Sequence, residues 1–291
     1  MYRDMFGKNR IKLGLHLHTT LSDGNRDPVE VAALYRNAGY DAVALTDHWL
    51  FGEQQMLAGI PVLSGAEYHV GEGDSMGGVY HILCLFAKKE PFLHKSMTVQ
   101  QIIDGIHDAG GLAVLAHPAW SLDTPEMILA LKGIDATEIY NTVSDRGHSR
   151  RGDSSLIVDM IASRGCRLPL LATDDAHYYG EGNEDDLCHS FIMLEGDEVE
   201  PSAIRTAIKE GRFYASEGPE IHLCRKGDTF SVDCSPASEI VFFSNFVYSH
   251  RVRVGKNLTH AEYTPKEGET YIRAFVTDRD GKRAWSNIIA V

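Results

Sequence analysis

The chain has 291 residues, 43% hydrophobic and 24% charged, which supplies a sizeable core for one large domain or two unequal ones. That composition excludes a disordered polypeptide and a small stapled scaffold. Lys plus Arg at 28 against Asp plus Glu at 41 leaves a net charge of −13, which argues against a long nucleic acid or an anionic membrane as partner.

Seven short apolar runs alternate with helix-like segments over residues 11–173. They are IKLGLHL (11–17), DAVALT (41–46), IPVLSGA (60–66), VYHILCLF (79–86), GLAVLA (111–116), GIDATEIY (133–140) and CRLPLLAT (166–173). Their continuous Val/Leu/Ile/Ala character predicts parallel strands covered on both faces, in an α/β barrel or a doubly wound sheet. Two connections carry helix signals. Residues 27–39 offer Asp27 as N-cap, Pro28 at the first helical position and a Gly stop, and residues 98–111 repeat that logic from Thr98. From Gly218-Pro219 onward the helical period disappears. Short alternating segments with an Asp280-Gly281 turn predict a sandwich-like all-β module, so the expected domains are 1–218 and 219–291.

The five cysteines form no C-x-x-C pair, and their odd count fits free thiols in a reducing compartment, so a cytoplasmic protein is expected. No secretory core opens the chain and no run approaches membrane-spanning length. The 14 histidines stand out, and they are not scattered. His16 and His18 end the first run two residues apart, so both imidazoles face one side. Asp23 follows in the loop. His48 closes DAVALTDH, Glu67 closes VLSGAE, His81 opens HILCLF, His117 closes AVLAHP, and Asp175 and His177 close LLATDDAH. In a parallel barrel the strand ends share one rim, where such residues meet as a metal site. His81 is the exception, since it begins its run; either that strand starts earlier or the chain there runs the other way.

The runs LHLHTTLSDG, ALTDHW, SGAEY, AHPAW and ATDDAHYYG resemble the motif series of the PHP (polymerase and histidinol phosphatase) superfamily of metallohydrolases over roughly residues 11–217. The run DDAHYYG and the β tail ending in RAWSNIIAV are similar to the CehA/McbA-type group within it. The resemblance implies a distorted seven-stranded, TIM-like barrel with two or three divalent ions. It assigns His16, His18, Glu67 and Asp175 to a first ion, and Glu67, His81 and His117 to a second. Asp23, His48 and His177 fall to a third. Asp174 is the rival of Asp175, and His69 the rival of His81; Asp174 and Asp47 are expected to orient an imidazole.

Imidazole and carboxylate without thiolate suit Mn, Fe or Zn. Such ions generate hydroxide near neutral pH and neutralise charge developing at phosphorus, so the expected activity is hydrolysis of a small phosphate ester, a nucleotide or phosphodiester included. A carbamate or carboxylic ester or amide is the alternative substrate for the same cluster, and a non-catalytic ligand sensor is the alternative of a different class. Oligomeric state is not legible. The loop 141–151 holds Arg146, His148, Arg150 and Arg151 in an otherwise acidic chain. Arg146, His148 and Arg150 are the candidates for gripping phosphate, and His148 for protonating a leaving alkoxide. Trp49, Trp120, Tyr178 and Tyr179 follow motif residues and are candidate walls, whereas Phe213, Tyr214 and Trp285 are expected to join the barrel to the tail.

Overall fold

The computed structural model describes residues 2–71, 78–180, 185–248 and 250–291, without the side chains of Gly147 and His148. The strands that frame the site are β1 (Asn9–Gly14), β2 (Ala42–Ala44), β3 (Ile60–Leu63), β4 (Gly65–Val70), β5 (Tyr80–Leu85), β6 (Leu112–Leu115), β7 (Ala136–Asn141) and β8 (Leu170–Thr173). They are followed by β9 (Phe191–Glu195) and β10 (Phe213–Ser216), and then by the tail strands β11 (Ile221–Lys226), β12 (Thr229–Phe243), β13 (Val252–Tyr263), β14 (Tyr271–Thr277) and β15 (Arg283–Trp285). Helix α1 (Pro28–Asn37) starts where the sequence predicts: Asp27 accepts from the N–H groups of Val29 and Glu30, with Pro28 in the first turn. Helix α2 (Val99–Asp108) opens on a capping box between Thr98 and Gln101. Helices α3 (Ser155–Ala162) and α4 (Pro201–Lys209) complete those used below.

The fold is α/β with two mixed sheets. In the larger, β1, β2 and β3 run parallel, and β9 and β10 extend it antiparallel from β1. In the smaller, the order is β8-β7-β6-β5-β4. The expected closed seven-stranded barrel is not formed: among the described residues the ladders stay in two sheets, which meet through single bridges such as Leu17 with Ala176 and His48 with Glu67. Between β3 and β4 the chain changes sheet at Ser64. Gly65 permits that step, because a Cβ there would lie 2.9 Å from the Leu45 carbonyl oxygen.

The expectation of uniformly parallel strands also fails at β5, which is antiparallel to both β4 and β6. An apolar run has the same composition in either direction, so only His81 hinted at the reversal. Strand β9 went unread in the sequence. Side chains of both sheets interdigitate in one core that includes Ile11, Leu13, Leu15, Leu83, Leu85, Leu112 and Val114, each fully or nearly fully buried.

Residues 219–291 are all-β, and their ladders are continuous with the larger sheet: β15 pairs with β10 through Ala215–Trp285 and Ser216–Ala284. Trp285 is 1% exposed and stacks on Tyr140 of β7 at 5.4 Å, while Arg283 lies over both rings. Arg273 of β14 is buried against α3, with Nε 2.8 Å from Asp159 Oδ1 and Nη2 2.6 Å from Oδ2. Among the described residues no helix is long and apolar enough to cross a membrane.

Removing one partner of that ion pair strands a buried guanidinium. Asp159→Ala is therefore expected to lower unfolding free energy by about 3–5 kcal/mol, and the paired change Asp159→Leu with Arg273→Met to recover most of it. Urea unfolding of the full chain checks this; a loss under about 1 kcal/mol for the single variant contradicts it.

Candidate metal centre

All nine sequence-predicted ligands come together where the two sheets meet. Leu17 packs outward against α1 in the cluster that holds Val31 and Tyr35, which leaves His16 and His18 on the inner side. Asp175 and His117 sit just beyond β8 and β6 with φ of +52° and +25°, conformations that non-glycine residues adopt rarely and that concentrate at functional sites. His81 enters from the start of β5, and the reversed direction of that strand is what puts it on the shared rim.

His16 Nε2 lies 3.2 Å from His18 Nε2, 3.3 Å from Glu67 Oε2 and 3.1 Å from Asp175 Oδ1. His18 Nε2 is 3.1 Å from those same two carboxylate oxygens. A tetrahedron with bonds of about 2.0–2.1 Å to nitrogen and oxygen has edges of about 3.3–3.4 Å, so these separations suit four ligands of one small divalent ion. Two buried atoms of the cluster, Asp175 Oδ1 and His48 Nδ1, have no hydrogen-bond partner, as expected of atoms reserved for a cation. The residues present therefore fit the metal that the motif series implies.

Two further ligand groups adjoin the first. His48 Nδ1 is 3.3 Å from Glu67 Oε2 and His81 Nδ1 is 2.7 Å from Oε1, so His48, Glu67 and His81 form one group. His117 Nε2 approaches the same carboxylate at 3.3 Å and Asp175 at 3.6 Å. The other group is His18, Asp23, His48 and His177, with Asp23 3.4 Å from His48 and 3.6 Å from His177. His69, the rival of His81, stacks on His81 at 5.5 Å and belongs to none of these groups.

The supporting hydrogen bonds differ from those expected. Asp47 accepts from Thr19 N, Thr19 Oγ1 and Ser22 Oγ, so it shapes the Asp23 loop and orients no imidazole. Asp174 turns away from the cluster toward Tyr35, Thr142 and the N–H groups of His189 and Ser190. The imidazole is oriented by Glu138, which sequence reasoning missed: its Oε1 is 2.8 Å from His16 Nδ1 and accepts from Thr173, while Oε2 accepts from His117 N and Asn141 Nδ2. That arrangement leaves His16 Nε2 for an ion. Asn141 also donates to Asp175 Oδ2 at 3.2 Å. A shift in the β7–β8 register inserts Ile139 as a bulge, which lets Glu138 and Asn141, three residues apart, face the same side. A Glu inside an otherwise largely apolar run was the available signal.

The electrostatics follow from burial and proximity. Burial opposes charge on His16, yet Asp175, Glu67 and Glu138 outweigh it and raise that imidazole to about 10; His18 and His117 are raised as well. Burial also opposes charge on Glu67 and Asp175, but the surrounding imidazoles hold both carboxyls well below their usual range. Burial dominates at His48 and lowers it to about 4, leaving it neutral at pH 7.

A cavity of about 270 Å³ opens on the cluster, walled by Trp120, Val143, Ser144 and Tyr178. Trp120 meets His81 and His117 edge to face at 5.5 and 5.0 Å. Trp49 and Tyr179 do not line it: Trp49 packs edge-on against Tyr68, and the buried Tyr179 hydroxyl donates to the His18 carbonyl. Arg146 and Arg150 line a neighbouring depression with Asp145, Asp185, Glu217 and Arg283, and Arg146 lies 3.4 Å from His189 and 3.7 Å from Asp185. The side chain of His148 lies outside the described residues.

No family model matches the chain. An uncharacterized protein of Methanocaldococcus jannaschii is 27% identical over 125 residues, 37% of this chain and 68% of that protein. Among solved structures, a two-domain protein of Bacteroides vulgatus containing a predicted PHP-like metal-dependent phosphoesterase superposes with a TM-score of 0.57 at 15% identity, covering 100% of this chain and 97% of that one. An amidohydrolase of Chromobacterium violaceum gives a TM-score of 0.44 at 18% identity over 69% of this chain and 96% of that one. The Bacteroides likeness shows a common fold spanning both parts of the chain.

Because the metal-free cluster holds protons on imidazoles that must be bare to bind an ion, metal uptake at pH 7 is expected to expel protons, and affinity to rise with pH through the neutral range. Calorimetric titration with Mn²⁺ or Zn²⁺ in two buffers of different ionisation heat measures the protons expelled; a value of zero contradicts the assignment of His16 and His18. Glu138→Gln is expected to weaken ion binding about 10- to 100-fold while the chain stays folded, as followed by elemental analysis and circular dichroism.

Proposed function

We propose that this chain is a metal-dependent hydrolase that cleaves a small phosphate ester. The observation that carries the reading is Glu67, a carboxylate 1% exposed whose two oxygens lie within 3.3 Å of five imidazoles, an arrangement suited to bridging two ions. Two or three ions of Mn, Fe or Zn are the expected complement; when bound, they supply Lewis acidity and water of lowered pKa.

The chain's own residues do the rest. Glu138 fixes the tautomer and ring plane of His16, and Ser121 lies 3.2 Å from His117 Nδ1 on the side away from Glu67. Trp120 and Tyr178 shape the approach to the cluster. Arg146 and Arg150, on the turn that begins at Ser144, meet the substrate beyond the scissile bond, and His148 is the candidate proton donor to the leaving oxygen. Residues 1–218 form the catalytic part in this reading and 219–291 an accessory domain without ligands. A cytoplasmic location agrees with the five cysteines, none of which is in a disulfide.

A second reading rests on one observation. Among the described residues lining the cavity there is no Lys or Arg, a wall that suits an uncharged carbamate or carboxylic ester as well as a phosphate. Parallel assays with an aryl phosphate, an aryl phosphodiester and an aryl carbamate, each with Mn, Fe and Zn, separate the possibilities. Phosphate-ester turnover that falls at least about 100-fold in Glu67→Ala is expected. Turnover of the carbamate alone selects the second reading, and tight binding without turnover of any substrate selects a sensor.

A further inference from the structure

Three consecutive N–H groups beside the cluster end on one buried carboxylate. Asp186, 0% exposed, accepts through Oδ2 from His177 N at 2.6 Å and Tyr178 N at 2.8 Å, and through Oδ1 from Tyr179 N at 2.7 Å. The opposite side of the same turn is held by Asn25, whose N–H donates to the His177 carbonyl at 2.8 Å and whose side-chain amide donates to the Tyr178 carbonyl at 2.9 Å. Asn25 lies two residues beyond Asp23. The loop that carries Asp23 and the turn that carries His177 are thus tied to each other through main-chain groups.

This tie matters most for the outer ligands. Glu67, His16 and Asp175 are set in the packed interior, whereas the Asp23 side chain is 52% exposed and the His177 side chain 17% exposed. Packing fixes the outer pair less firmly: the His177 ring stacks on His18 at 4.2 Å, and hydrogen bonds must supply the rest. The turn also contains Tyr179 at φ +55°, a left-handed conformation that persists only where its surroundings impose it. Gly24 belongs to the same device, because a Cβ there would lie 2.4 Å from the His18 carbonyl oxygen, so the Asp23 loop closes tightly on the strand end.

We infer that Asp186 is a positioning residue for the outer ion, fixing His177 against Asp23 and His48 so that these three close around a third cation. The inference rests on reading the cluster as a metal centre. Charge-assisted hydrogen bonds to three successive amides give one side chain control over the backbone that aims the His177 ring, without that side chain touching the ion.

The test is Co²⁺ titration of the full metal-free chain, followed by ligand-field absorbance and calorimetry, for wild type, Asp186→Ala, Asp186→Asn and Asn25→Ala. Asp186→Ala is expected to weaken the last ion bound by about 10- to 100-fold and leave the earlier ions unchanged. Asp186→Asn, with one accepting oxygen in place of two, is expected to fall between; Asn25→Ala removes the side-chain half of the opposite tie, the bond to the Tyr178 carbonyl, and is expected to weaken that same ion. If Asp186→Ala fails to fold, Asp186→Asn and Asn25→Ala decide the matter. Folded variants that match wild type at every ion, or that weaken all ions equally, overturn the role of Asp186 alone. A wild-type chain that takes up no Co²⁺ overturns the metal-centre reading with it.

Discussion

A carboxylate that no solvent reaches and five imidazoles around it make a group that is not satisfied by hydrogen bonding alone. Glu67 has two oxygens, and His16 and His18 bring ring nitrogens to within 3.2 Å of each other next to it. Two neutral rings placed this way oppose lone pairs or share a single proton; two protonated rings repel. Protons or cations must occupy the gap, and the carboxylates that raise the imidazoles toward protonation are the same ones that would bind an ion. The surrounding polar residues make sense as consequences. Glu138, Asn141 and Thr173 form a buried network whose members fix one another, so the ligand atoms cannot relax apart to relieve their crowding.

The fold meets this demand by leaving its two sheets joined at single bridges. Had the ladders of β2 and β4, or of β1 and β8, continued to their ends, the strand-end residues would be spent on pairing. Instead Leu17 with Ala176 and His48 with Glu67 are isolated contacts, and at the strand ends near them Asp175 and His117 take positive-φ conformations. The antiparallel run of β5 serves the same end, since it delivers His81 from the start of a strand to a rim otherwise built from strand ends. A bulge at Ile139 adds Glu138 and Asn141 from one strand.

What the sequence disclosed and what it withheld divide along locality. Helix starts at Asp27 and Thr98 depend on residues three or four positions away, and both appear where read. The nine candidate ligands were legible because all but Asp23 stand at the border of an apolar run. Strand direction, by contrast, leaves no mark on a run such as HILCLF, since alternation reads alike both ways. Closure of the barrel depends on pairings between distant segments, and β9 lacked a neighbouring motif to draw attention to it. Glu138 was hidden by parity. With regular alternation it and Asn141 face opposite sides, and only the bulge, fixed by pairing with β8, brings them together. Arg146 and Arg150 follow the sixth strand closely, and the turn from Ser144 to Ser149 sets them along the depression beside the cluster rather than in the cavity itself.

Among the described residues the tail adds no side chain to the clustered His, Asp and Glu groups, but it is not mechanically separate from them. Tyr140 stands between Glu138 and Asn141 on β7, and the same bulge that turns those two inward directs Tyr140 outward onto Trp285 and Arg283. Arg283 in turn binds Glu217 and Asp153, and Arg273 binds Asp159 in the helix that follows. The strand carrying the imidazole-orienting carboxylate is therefore clamped from behind by tail residues. Because the hydrogen bond to Glu138 is what leaves His16 Nε2 bare, a rigid backing of β7 has chemical value. The continuous ladder from β10 into β15 is the structural expression of that coupling, and it gives an accessory β module a reason to be hydrogen-bonded into the sheet rather than tethered to it.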